Sequence, residues 1–178
     1  MNAYPSRFTD LLDGLDRGEL ALDCGSGGRP SPDPRCVQLD VAPLQHVDVI
    51  ADGMQMPFRD GTFSAILSQA VIEHVTEPQR YVNECRRVLR PGGTMYVEVA
   101  FIQPIHQAPH HYFNVTPFGL RYLLRDWKIL DMGTVGTFRD TIAWLSRAAG
   151  ISVRPPTSEP IRTRMPMVAS GVYAIAIR

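Results

Sequence analysis

Leu20-Ala21-Leu22-Asp23-Cys24-Gly25-Ser26-Gly27-Gly28 is an apolar approach that ends in an acid and a cluster of glycines. The pattern predicts a buried strand over residues 20–24 that stops in a tight turn. Glycines reach positive φ without strain and put no side chain in the way, so such a turn lets a ligand lie against backbone N–H groups. The remaining chain must then supply the other walls of a pocket.

It supplies further strands of the same kind. Residues 36–41 form a second apolar run that reaches Asp40 and Val41, and residues 47–51 form a third that runs into Asp52 and Gly53. A fourth, 62–68, opens into Gln69 and Ala70, and a fifth covers 94–101. Arg29-Pro30-Ser31-Pro32-Asp33-Pro34-Arg35 joins the first two strands, and its prolines rule out an ordinary crossover helix. Thr76, Pro78 and Gln79 mark a helix start with Thr76 as the N-cap, and Tyr81, Val82, Cys85, Val88 and Leu89 follow at helical spacing. Pro91-Gly92-Gly93 is read as its stop. Strands alternating with helices or crossings predict a mainly parallel α/β sheet.

Outside this stretch, residues 5–18 predict a short amphipathic helix carrying Phe8, Leu11, Leu12 and Leu15, within an N-terminal segment 1–19. Residues 102–126 are polar, aromatic and rich in histidine before Thr116-Pro117 opens a helix, and are read as the substrate side. A sixth strand is expected at 127–132, a helix at 138–149 and a last strand at 168–177. The Pro- and Arg-rich stretch 152–167 reads as an exposed loop.

The 178 residues suit a single domain, 1–178, and 44% hydrophobic content suits a real core. Eighteen basic side chains balance eighteen acidic ones, so no basic field recommends a nucleic-acid partner. Cys24, Cys36 and Cys85 show no CxxC spacing, which fits a reduced, cytoplasmic setting and no zinc knuckle. No apolar run is long enough to span a bilayer, and no membrane partner is expected.

In a parallel α/β sheet, ligands sit beyond the carboxyl ends of the strands. Asp23, Gly25 and Gly27, then Asp40, Asp52 and Gln69 each lie at such an end. A carboxylate after the second strand can accept both hydroxyls of a ribose, and Asp52 can accept from an exocyclic amine such as that of adenine. The stretches that carry these residues resemble the class I S-adenosylmethionine-dependent methyltransferases. They are Ala21-Leu-Asp-Cys-Gly-Ser-Gly27, Gln38-Leu-Asp40-Val41, Val49-Ile-Ala-Asp52-Gly53, Met56-Pro-Phe-Arg-Asp-Gly-Thr-Phe63, Val71-Ile-Glu-His-Val75 and Glu84-Cys-Arg-Arg-Val-Leu-Arg-Pro-Gly-Gly93.

The likeness is to the type 11 methyltransferase domain, in the branch with a short Pro-containing loop after the first strand. It implies a Rossmann-like, doubly wound, seven-stranded mainly parallel sheet with the last strand antiparallel. It also implies S-adenosylmethionine as cofactor. Asp23, Gly25 and Gly27 would then line its methionine part, Asp40 with Val41 its ribose, Asp52 with Gly53 and Met54 its adenine, and Gln69 with Ala70 the sulfonium side. Two departures stand out. The family's third glycine is Arg29, which can pair with the cofactor carboxylate directly. The short N-terminus points to an open site, or one covered by a second copy of the chain in a homodimer.

The chemistry implied is methyl transfer to a small-molecule or glycan acceptor, at oxygen, which needs a group to take the hydroxyl proton. His110 and His111 are the first candidates for that base, with His74 second. His106 belongs to the same loop, and Tyr112 and Phe113 are placed to stack on an acceptor. No metal is expected, because the loop histidines have no acid beside them in sequence. The alternative is a non-catalytic cofactor-binding or scaffold subunit. A nicotinamide-dinucleotide sheet would need glycine where Pro30 stands, and no G-x-S-x-G motif supports a hydrolase.

Overall fold

The computed structural model describes residues 4–106, 110–153 and 168–178. Most of the 152–167 loop and part of the histidine-rich segment therefore lie outside the described residues.

Seven strands form one sheet: β1 (Ala21–Cys24), β2 (Cys36–Asp40), β3 (Val49–Ile50), β4 (Phe63–Gln69), β5 (Leu89–Ala100), β6 (Lys128–Val135) and β7 (Gly171–Ile177). Their spatial order is β3-β2-β1-β4-β5-β7-β6. Pairing is parallel from β3 through β5, and β7 runs antiparallel to both β5 and β6. The doubly wound sheet with a reversed last strand is the one the sequence implied.

Strand alternation decides which face each side chain serves. On one face Ala21, Cys36, Ala65, Leu67 and Tyr96 pack against Phe8 and Leu12 of helix α1 (Ser6–Asp13). On the other, Leu22, Leu39, Ile66 and Val97 pack against Tyr81, Val82, Cys85 and Val88 of helix α2 (Pro78–Val88) and Leu120 of helix α3 (Pro117–Leu123). Phe8 and Tyr81 are fully buried, and each such side chain contributes about 1.5–3 kcal/mol of transfer free energy. Helix α4 (Phe138–Ala148) starts in a capping box in which Thr137 and Asp140 exchange bonds.

The β1–β2 crossover has no helix, as its prolines dictate. Arg35 pins it instead, donating to the Leu12 and Leu15 carbonyls at 2.9 and 2.8 Å while paired to Asp33. Leu12 lies in the last turn of α1, where carbonyls lack the regular helical partner, and Leu15 lies two residues beyond the helix.

Several boundaries differ from the sequence reading. Helix α1 closes at Asp13, because Gly14 follows with non-propagating turn bonds. Strand β3 is two residues long and edges the sheet. Thr76 does not cap α2: its hydroxyl faces the Met54 sulfur, and Glu77 holds the N-cap position without a side-chain bond. Helix α2 ends at Val88, ahead of Pro91-Gly92-Gly93, and Leu89 already pairs with Phe63. Pro91 disfavours helical geometry at Arg90, so the chain turns extended before the glycines are reached. Thr116 and Pro117 do open a helix, with the Thr116 hydroxyl accepting from the Gly119 N–H at 3.0 Å.

Candidate functional site

The strand order reverses between β1 and β4, and there the carboxyl ends of β1, β2, β3 and β4 border a cavity of about 450 Å³. That volume lies in the range of small-ligand sites, and the position is where open α/β sheets bind ligands.

Its walls contain Gly25, Gly27, Arg29, Asp40, Val41, Asp52, Gly53, Met54, Gln69, Ala70 and His74 from the sequence-predicted set, joined by His106 and Tyr112. Asp23 is not among them. Alternation turns Asp23 to the α1 face of β1, where it is fully buried beneath the cavity. Arg29 grips it there with two bonds, Nε to Oδ2 at 3.1 Å and Nη2 to Oδ1 at 2.9 Å. The Tyr4 hydroxyl donates to the same carboxylate at 2.8 Å, and its ring lies 4.0 Å from the guanidinium carbon. Burial next to that carboxylate pushes the Tyr4 hydroxyl well above its usual range. Arg29 Nη1 continues to Gln69 Oε1 at 2.7 Å, so one guanidinium ties β1 to β4 under the cavity floor. This pairing with Asp23 was not foreseen; the alternation along β1 was the signal available.

The glycine turn also differs from expectation. The N–H groups of Gly25 and Ser26 donate to the Leu39 carbonyl, and that of Gly27 to Asp40 Oδ2 at 2.9 Å. Those amides close the turn onto β2 instead of facing a ligand. The glycines serve geometry: Gly25, Gly27 and Gly28 all have positive φ, and a Cβ on Gly25 would stand 2.4 Å from Val71. A Cβ on Gly27 would meet nothing, which leaves open space over the turn. Ala70, at the end of β4, also has positive φ (57°) although it is not glycine. Such a conformation costs about 1–3 kcal/mol and recurs at ligand sites.

The carboxylates at the strand ends retain acceptor capacity. Asp40 takes the Gly27 and Ala42 N–H groups on separate oxygens, and Asp52 takes that of Met54 on Oδ1. Each carboxylate has about four lone-pair sites, so both can accept further bonds from a ligand. The described residues therefore fit a nucleoside: two acids on adjacent strand ends, the flat Gly53 and Val41 between them, and open volume over Gly27.

The histidines gather at the mouth of this cavity. His74 follows β4 in a single 3-10 turn, and its Nδ1 bonds the His110 carbonyl at 2.7 Å. The His106 ring lies 5.0 Å from that of His74 and 4.5 Å from that of His111. His110 and His111 do not line the cavity; His111 is held by Phe113 O and His106 Nδ1. Burial and the two neighbouring imidazoles hold His74 below the usual histidine range. Beside it, Glu73 is fully buried, and desolvation raises its carboxyl to about 7. The expectation that no acid stands near these histidines fails here, because the acid comes from the β4 end instead of the loop. A lone acid within the apolar run Val71-Ile72-Glu73-His74-Val75 was its only trace in the sequence.

A second cavity, about 540 Å³, opens behind the first and is lined by Glu73, Glu98, Gln103, Trp144 and Ser170. Gln69, Ala70 and His106 line both cavities.

Residues 30–97 match the sequence profile of a family described as a methyltransferase domain. Over this stretch, which runs from the β1–β2 loop into β5, the chain is similar to that family. A Mycobacterium sp. (strain KMS) protein named an uncharacterized methyltransferase is 45% identical over 65 residues, 35% of this chain and 25% of that protein. A ubiquinone/menaquinone biosynthesis C-methyltransferase from Roseobacter denitrificans is 42% identical over 74 residues, 39% of this chain and 29% of that protein. A ubiquinone biosynthesis O-methyltransferase from Parvibaculum lavamentivorans is 32% identical over 107 residues, 55% of this chain and 40% of that protein. The chain thus spans about a quarter to two fifths of the length of these curated relatives.

The fold match extends over nearly the whole chain. The Burkholderia thailandensis 1,6-didemethyltoxoflavin-N1-methyltransferase, solved with 1,6-didemethyltoxoflavin and S-adenosylhomocysteine, superposes with a TM-score of 0.62 at 16% identity, covering 97% of this chain and 76% of that one. A S-adenosylmethionine-dependent methyltransferase from Archaeoglobus fulgidus gives 0.62 at 10% identity, covering 97% and 92%. Among the described residues no helix is long and apolar enough to cross a membrane.

Proposed function

We propose that this methyltransferase domain binds S-adenosylmethionine in the 450 Å³ cavity and methylates an oxygen of a small-molecule or glycan acceptor. The observation that carries the reading is the convergence of Asp40, Asp52 and the open Gly27 turn on one cavity whose mouth is formed by His74, His106 and Tyr112. Asp40 would hold the ribose diol and Asp52 the adenine amine. Arg29, tied to Asp23 and Gln69, forms the cavity floor at the carboxylate end. The cofactor supplies an electrophilic methyl group on a sulfonium.

Of the predicted bases, His74 is the one that lines the cavity. Donation of its Nδ1–H to the His110 carbonyl leaves Nε2 with the lone pair, and its lowered pKa keeps it neutral and ready to accept a hydroxyl proton near pH 7. His110 then positions His74 through its backbone, and His111 packs beside it. Tyr112, half-exposed at the mouth, offers a ring for a sugar or aromatic acceptor to stack on. The relatives named above carry C-, O- and N-methyltransferase names, so the choice of oxygen rests on the histidine cluster. The competing reading, a cofactor-binding or scaffold subunit without catalysis, draws support from the turn amides being engaged within the protein. A homodimer and a cytoplasmic setting remain part of the proposal.

Calorimetry with S-adenosylmethionine tests binding, and transfer of labelled methyl to a panel of phenols, quinols and sugars tests chemistry. No binding at millimolar cofactor refutes the reading. Binding without transfer to any acceptor, in the panel or in a cell extract, favours the scaffold.

A further inference from the structure

The least expected feature of the molecule is a sealed carboxylate with nothing to hold. Glu73 has no exposed surface, and neither of its carboxylate oxygens has a hydrogen-bond partner among the described residues. The backbone N–H groups of Glu73 and Ala100 lie near it without reaching hydrogen-bond geometry, and the charged neighbour that acts on it, Glu98, has the same sign. Burial without a partner disfavours the charged form of a carboxylate, and a cation beside it offsets that cost. Two imidazoles lie next to it: one ligand atom each from Glu73, His74 and His106 fall within 4.8 Å of one another.

We propose that Glu73, His74 and His106 form a binding site for a divalent transition metal of the zinc class, where the two cavities meet. The donor set, two imidazoles and one carboxylate, is one that zinc accepts, and three protein ligands leave a tetrahedral position open to an exogenous oxygen. Nitrogen and oxygen ligands of one such ion stand about 3.4 Å apart at bond lengths near 2.1 Å, so modest side-chain rotations close the set. The supporting shell already exists. The His110 carbonyl takes the His74 Nδ1–H at 2.7 Å, which fixes Nε2 as the free lone pair, and such outer bonds orient metal-binding histidines. His111 has both ring nitrogens engaged, with His106 and with the Phe113 carbonyl, and belongs to that shell. His106 lines both cavities, which gives an ion a way in. A bound metal uses the lone pair of His74 assigned above to proton acceptance, so metal and proton exclude each other on that nitrogen. The inference rests on Glu73 and the two histidines, not on methyl transfer.

The test is titration of chelator-treated full-length chain with Zn²⁺ by calorimetry, and with Co²⁺ by visible absorption, with no cofactor or acceptor present. The expected result is one Zn²⁺ per chain with micromolar or tighter affinity, and cobalt bands of a four-coordinate site. Glu73→Gln and His106→Ala should each weaken binding at least tenfold, while Asp33→Asn, remote from the cluster, leaves it unchanged. Glu73→Gln keeps shape and removes a buried charge, and its near-UV dichroism confirms folding. Absence of binding at 100-fold excess Zn²⁺, or affinity unchanged in folded Glu73→Gln, overturns the proposal. Because neither arm contains S-adenosylmethionine, the result stands apart from the success or failure of the methyltransferase reading.

Discussion

Arg29 and Asp23 form a bidentate ion pair beneath the cavity floor, with side chains 6% and 0% exposed. A pair this deep gains little over an apolar pair of the same shape, but loses much when one partner is removed, because the other is left charged in a poor solvent. Arg29→Met is therefore expected to destabilise the fold by about 3–5 kcal/mol. The double variant Arg29→Met, Asp23→Leu should recover most of that loss. Urea denaturation of the four proteins of this cycle measures both. Arg29→Lys should resemble the methionine variant more than the parent, since an ammonium cannot make the two-pronged contact.

Asp40 and Asp52 make separable predictions about the nucleoside. Asp40→Asn keeps an acceptor for the turn but loses the charge that would hold a diol. Its affinity for S-adenosylmethionine should fall tenfold or more, as charge-assisted hydrogen bonds are worth about 1.5–3 kcal/mol. Asp52→Asn should weaken adenosine compounds and leave methionine's own weak affinity unchanged. Competition calorimetry with S-adenosylhomocysteine, adenosine and methionine checks each assignment.

Glu73 predicts an unusual pH dependence of stability. Its carboxyl is raised by burial from 4.5 to about 7, so between those values the folded state binds more protons than the unfolded one. Stability from this group is thus full below about pH 4.5 and declines as pH rises through about 7, by about 3 kcal/mol. In metal-free protein, Glu73→Gln should flatten that decline. Guanidinium unfolding at pH 5 and pH 8 with chelator present reads it directly, and equal slopes in both proteins would sink the assignment.

His74→Ala should lower methyl transfer to a hydroxyl acceptor by about 10²–10⁴-fold with little change in cofactor affinity. His110→Ala should behave like the parent, because His110 contributes its backbone carbonyl and not its ring. Single-turnover assays with saturating cofactor separate the two.

Thr137→Ala removes one half of the capping box of α4 and should cost about 1 kcal/mol. Thr76→Ala, at a position whose hydroxyl caps nothing, should leave thermal stability nearly unchanged. Scanning calorimetry of the two variants side by side checks the contrast.

The sheet was legible because its signals are local. Leu22 through Gly25, Asp40 and Asp52 each carry the strand, its end and its polar terminus within a few residues. Thr116-Pro117 states a helix start in two letters. What escaped reading depends on contacts between distant segments. That Asp23 faces Tyr4 and Arg29 follows from the alternation along β1 together with the side of the sheet α1 covers, and only the first of these is local to Asp23. Thr76 looks like a cap, yet the backbone entered the helix at Glu77. Glu73 reads as a surface acid until the loop carrying Tyr112 closes over it, with the Tyr112 N–H donating to the Glu73 carbonyl at 2.7 Å.

Gln69, Ala70 and His106 belong to both cavities at once. A wall held in common lets one space act on the other: a ligand that reshaped it from one side would change affinity on the other, by the same factor in both directions. Ala70 holds a strained backbone state within this wall, which the packing around it must enforce. A ligand in the second cavity that shifts this wall would therefore change the affinity of the first for whatever it holds.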